Sequence, residues 1–127
     1  MLSVCTDKRA NEVHIYYDLE GKEYLISQLT FARRDEDHAF FLFDLPLNEN
    51  KRMNENRRMC DFLNVIYNNK GEDRVTIDDA PHGCSTVEMF LSGETMDLLL
   101  EAICGTNTNN KGNELRNKSV AIKLTHI

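Results

Sequence analysis

An α+β fold, with strands laid down as hairpins and helices returning over them, follows from three features of this 127-residue chain. Two alternating apolar runs flank a short glycine-containing turn, which is a hairpin signal. Two later segments carry apolar residues at i, i+3, i+4 and i+7, the stripe of a half-buried helix. Hydrophobic content of 41% and charged content of 28% sit in the globular range, so the chain can bury a core without metal or disulfide staples. Together these predict the order β-β-β-α-β-β-α-β: one domain over 1–127, an antiparallel sheet and two helices packed on one face.

Element by element, Glu12 to Asp18 alternates with Val13, Ile15 and Tyr17 on one face. Leu19-Glu20-Gly21-Lys22 reads as a turn, because Gly21 tolerates positive φ. Glu23 to Arg33 resumes alternation through Leu25, Ser27, Leu29 and Phe31, and His38 to Leu45 is apolar on both faces. That third strand reads as central, covered on both sides, and Pro46 ends it. A polar stretch from Asn48 to Arg52 opens a helix running to about Asn68, with Met59, Phe62, Leu63 and Ile66 as its buried stripe. Arg74 to Asp78 and Thr86 to Leu91 read as strands around a Pro- and Gly-punctuated loop. The second helix follows Ser92-Gly93, burying Met96, Leu99, Leu100 and Ile103, and closes at Gly105. Thr106 to Asn117 reads as a long polar loop. Val120, Ile122 and Leu124 mark a last strand, and no internal repeat is visible.

Composition narrows function. The formal net charge is −6 and the isoelectric point about 5.2. A duplex-binding surface neutralises phosphates with Lys and Arg, so direct nucleic-acid binding is disfavoured. The longest apolar run, Ala39 to Phe43, is far short of the ~20 residues that cross a bilayer, and the first residues lack a secretory pattern. The expectation is a cytoplasmic protein with no membrane contact. Four dispersed cysteines, Cys5, Cys60, Cys84 and Cys104, fit free thiols in a reducing compartment. No glycine-rich phosphate loop and no paired Cys-x-x-Cys is present, so neither a cofactor nor a metal site is expected.

The charge is concentrated. From Glu72 to Glu101 there are eight acids and one base, Arg74. On the second helix, Glu94, Asp97 and Glu101 fall within about 60° of one another, opposite the apolar stripe, with Leu98 projecting among them. Carboxylates that steer and an apolar anchor at their centre suit a surface that meets a basic protein. Asp78 and Asp79 extend the candidate partner-binding set. Asp78 to Ser85 also holds the only stretch resembling chemistry: His82, Cys84 and Asp79 are weak candidates for a Cys nucleophile with a His base. The aromatics Phe40, Phe41, Tyr16, Tyr17 and Tyr24 read as core.

The first functional expectation is a small acidic binding protein that occludes a basic partner, such as a nuclease toxin or defence nuclease, in the manner of immunity proteins, antitoxins or phage-encoded inhibitors. It is more a binding protein than an enzyme, and acts as a monomer or homodimer. One alternative is a small Cys/His enzyme or metal-binding protein using the 78–85 loop. Another is a structural or regulatory subunit that oligomerises through its N-terminal hairpins, where a long apolar sheet edge between Glu12 and Leu45 invites pairing.

Overall fold

Alternating burial sets the strands, and capped amphipathic segments set the helices. In a computed structural model, residues 1–43, 57–70, 72–79, 85–105, 113–116 and 121–127 are described. The chain runs β1 (Leu2–Asp7), β2 (Glu12–Tyr17), α1 (Leu19–Asp35), β3 (His38–Leu42), β4 (Arg57–Met59), β5 (Phe62–Tyr67), β6 (Arg74–Asp79), β7 (Ser85–Leu91), α2 (Gly93–Gly105), β8 (Asn113–Arg116) and β9 (Ala121–His126). The α+β class and the pair of helices among strands are as expected, in roughly the expected order. The sheet is not single and antiparallel. Five strands form one mixed sheet, β4-β1-β2-β9-β8, and four form another, β3-β5-β7-β6. The parallel pairs are β2 with β9 and β5 with β7.

Two segments change type. Glu23 to Arg33 is helix, because Gly21, Leu25, Leu29 and Ala32 form one buried stripe while Phe31 faces outward. Asp18 caps that helix by accepting from the Gly21 N–H at 2.9 Å, so the anticipated turn is a helix start. The N-terminal ammonium also donates to Asp18 at 2.6 Å. That contact, and then the Gly21 bond, hold its carboxyl below the usual range. Phe62 to Tyr67 is strand: Leu63 and Val65 are buried between half-buried Phe62, Asn64 and Ile66. Leu63 and Ile66 satisfy either period, and the β-branched and aromatic residues around them favour the pleated form. The anticipated helix start at Asn48 to Arg52 lies outside the described residues. Asn113–Arg116, assigned to the loop by its polar sequence, pairs with β9.

The pairing also contains a repeat. Each half runs antiparallel pair, helix, antiparallel pair: β1-β2, α1, β3-β5, then β6-β7, α2, β8-β9, with β4 inserted between β3 and β5 and paired to β1 instead. The second pair of each half joins the first pair of the other. Ile15 lies opposite Leu124, whose antiparallel partner is Asn113; Met89 lies opposite Val65, whose partner is Ala39. Moving from 15 to 89 and from 39 to 113 is the same shift of 74 residues. The same shift takes cap Asp18 to Ser92 and buried Leu25 and Leu29 to buried Leu99 and Ile103. The sequence hides this because few aligned positions are identical, among them Val13 and Val87, Glu20 and Glu94, Leu25 and Leu99.

The helices pack against each other, α1 also against β2, β3 and β5, and α2 against β7 and β8. Between them and both sheets lies one connected core that includes Val4, Ile15, Tyr17, Leu25, Phe41, Leu63, Met89 and Leu99. Of the aromatics expected in it, Phe41 and Tyr17 are buried, whereas Phe40 and Tyr24 are exposed. Phe40 follows from β3 being a sheet edge with one face uncovered, not a central strand. Among the described residues, no helix is long and apolar enough to cross a membrane.

Candidate functional site

The acidic helix is built on a cap of its own. Ser92 Oγ accepts from the Thr95 N–H at 3.2 Å, and Asp73 reaches over from the start of β6 to finish the turn. Its carboxylate accepts from the Ser92 N–H at 2.7 Å and from the Thr95 hydroxyl. A buried stripe of Thr95, Met96, Leu99 and Ile103 then anchors α2, which turns Glu94, Asp97, Leu98 and Glu101 to solvent.

Those four residues are not equivalent. Asp97 accepts from Arg33 of α1, Nε at 3.0 Å and Nη2 at 3.4 Å, and this pairing raises the guanidinium pKa. Gly93 makes the approach possible, since a Cβ there would lie 2.8 Å from the Arg33 Cζ. The Arg33 guanidinium also sits 5.9 Å from the Tyr67 ring centroid. One carboxylate of the three is thus spent on holding the helices together. Glu94 and Glu101 are exposed, and among the described residues neither meets a cation. Leu98 is 50% exposed between them. An apolar side chain flanked by two carboxylates that are unpaired among the described residues, one turn before and one turn after, is what remains of the candidate site.

Asp78 belongs to a different surface. On β6 it is exposed, whereas its neighbour Ile77 turns into the core on which α2 packs. Asp79 ends the strand opposite Ser85, and His82 and Cys84 lie outside the described residues, so the Asp79, His82 and Cys84 constellation is not brought together by what is described.

The remaining thiols and imidazoles have structural surroundings. Cys60 donates to the Phe62 carbonyl at 2.7 Å, and burial pushes its pKa to about 12. Cys5 is buried and Cys104, near the end of α2, is exposed. Native-state alkylation near pH 7.5, read by peptide mass, should therefore modify Cys104 quickly and reach Cys5 and Cys60 only in denaturant. In the same experiment fast modification of Cys84 would support the Cys/His alternative, and protection until unfolding would remove it. His14 shares hydrogen bonds with Thr125 Oγ1 at 2.8 Å and the Tyr16 hydroxyl at 3.0 Å. His38 pairs with Asp37 at 2.8 Å. Buried His126 lies tilted against Tyr17, ring centroids 5.5 Å apart, and its ring nitrogens meet no partner among the described residues. No three His, Cys, Asp or Glu side chains among the described residues are grouped to hold a metal.

One feature left no readable signal in the sequence. Beside β6, a cleft of about 700 Å³ is lined by Ile66, Tyr67, Lys70, Glu72, Arg74 and Phe90, among others. Arg74 lies over the Phe90 ring at 4.2 Å. Only the parallel pairing of β5 with β7 brings Ile66 and Phe90 side by side.

Comparison of the sequence with protein-family profiles returns no match, and comparison with curated proteins returns none.

Proposed function

We propose that this chain is a small acidic binding protein that covers a basic protein partner with the exposed face of α2, in the manner of an inhibitor of a nuclease or toxin. The observation that carries the reading is Leu98, half-exposed on the outward face of α2 and flanked by Glu94 and Glu101, which are unpaired among the described residues. Carboxylates without local partners keep their field for an incoming cation, and an apolar side chain between them gains by being dried. The Arg33–Asp97 pair and the Asp73 cap hold this face rigid, which lowers the ordering cost of binding. The exposed thiol of Cys104 suits action in a reducing compartment such as the cytoplasm.

The test is co-purification from the native host at low and high salt, followed by kinetics on the partner so identified. Reversing both charges, Glu94→Lys with Glu101→Lys, should slow association at low salt by roughly tenfold or more, with the difference shrinking as salt rises. A partner that binds the double variant at the wild-type rate in low salt would rule out this surface.

A further inference from the structure

We infer that the cleft beside β6 binds a phosphate monoester joined through a sugar to a flat ring, the chemistry of a nucleoside monophosphate. Topology makes the cleft. The sheet order is β3-β5-β7-β6, so the chain leaving β5 passes the carboxyl end of β7 to reach β6. The Asn68 N–H donates to the Leu91 carbonyl at 2.8 Å, which carries the parallel pairing one residue further. Past that bond one chain enters α2 and the other turns to β6. A crevice opens where they part, at the carboxyl ends of two parallel strands, the place where α/β sheets hold their ligands. Its volume of about 700 Å³ is that of a small-molecule site.

The walls supply three chemistries. Ile66 and Phe90, opposite each other across the parallel pair, are half-buried, as is Tyr67 beside them; a flat ring laid there dries apolar surface. Lys70 and Arg74 are exposed, and among the described residues neither meets a carboxylate. Three other cations are matched: Arg33 faces Asp97, Arg34 faces Asp35 and Lys123 faces Glu12. The Arg74 guanidinium instead lies over the Phe90 ring at 4.2 Å. Held over a ring, a guanidinium keeps its edge donors free, the form in which Arg takes a phosphate through two parallel bonds. A phosphate monoester carries about −1.5 to −2 at neutral pH, which suits two cations where a carboxylate suits one. Of the two acids on the wall, Asp73 is engaged by Ser92 and Thr95. Glu72 is exposed and without a cation among the described residues, which leaves it as an acceptor for sugar hydroxyls. The net charge of −6 opposes an anion only within a screening length of about 8 Å at physiological salt, and at the cleft two free cations outnumber one free acid.

Calorimetric titration of the whole chain with the nucleoside 5′-monophosphates, the matching nucleosides and inorganic phosphate tests this. At least one monophosphate should saturate with a Kd of about 10 μM to 1 mM, roughly tenfold or more below that of its nucleoside or of phosphate alone. The same monophosphate should shift the amide resonances of Tyr67, Asn68, Lys70 and Phe90. Lys70→Gln and Arg74→Gln, both at exposed positions, should keep wild-type circular dichroism and each weaken binding roughly tenfold or more. Lys8→Gln, which removes an equally exposed cation from the turn between β1 and β2, should bind as wild type. So should Glu94→Lys with Glu101→Lys, which separates this site from the α2 face. No saturable binding of any monophosphate up to about 5 mM overturns the inference. Phosphate alone or nucleoside alone binding as tightly as the monophosphate overturns it equally, as does undiminished affinity in the Lys70 and Arg74 variants.

Discussion

Truncating Leu99 to alanine is expected to destabilise the fold by about 3–5 kcal/mol, whereas the same truncation at Leu98 should change stability by less than about 0.5 kcal/mol. Leu99 is fully buried in the shared core, and its removal leaves a cavity between the helices and the sheets that a packed interior fills only in part. Leu98 points the other way and contacts water over half its surface. Urea unfolding of the two variants, with unchanged slope, separates them directly. Their effects on partner binding should reverse: Leu98→Ala should weaken binding roughly 30-fold, as an apolar anchor among charges does. Leu99→Ala, where still folded, should bind nearly as wild type. If Leu98→Ala left affinity untouched, the helix face would be only a solvated surface.

Removing the Asp73 carboxylate, as Asp73→Ala, should cost about 2–3 kcal/mol and lower Tm by roughly 6–12 °C. Two donors at the start of α2, the Ser92 N–H and the Thr95 hydroxyl, lose their acceptor at once. Both sit in half-buried surroundings where water replaces that acceptor poorly. Asp73→Asn keeps one acceptor oxygen and should recover about half of the loss. Calorimetry on the pair checks the sign and the ordering. Equal melting of Asp73→Ala and wild type would show that Ser92 alone caps the helix. The variant also bears on the proposed function, since α2 carries Glu94 in its first turn, and a frayed first turn would spread the charge proposed to steer association.

Much of the candidate site was legible before any fold was known. The buried stripe of α2 and its outward Glu94, Leu98 and Glu101 follow from a 100° step per residue alone, and α2 occupies the segment where that periodicity placed it. What periodicity could not supply was the partner of Asp97. Arg33 is 64 positions away in sequence and read as a member of a strand. Once Glu23 to Arg33 winds into α1, its guanidinium comes within reach of α2 through the gap at Gly93. The grouping of Asp78 with the helix acids rested on sequence proximity, and alternation along β6 sends it to the other side of the sheet.

By itself the sequence determined the class, an acidic α+β protein, because composition and local period are carried by neighbouring residues. Where two periods competed, only the tertiary structure decided. Leu25 and Leu29 suit either element, and α1 prevails because Asp18 caps it and Ala32 finds the core. Leu63 and Ile66 suit either as well, and β5 prevails because β3 and β7 flank it. Sheet membership and the exchange of strand pairs between the two halves are non-local. They depend on which strand another strand meets, a matter of burial across the whole core that no window of sequence contains.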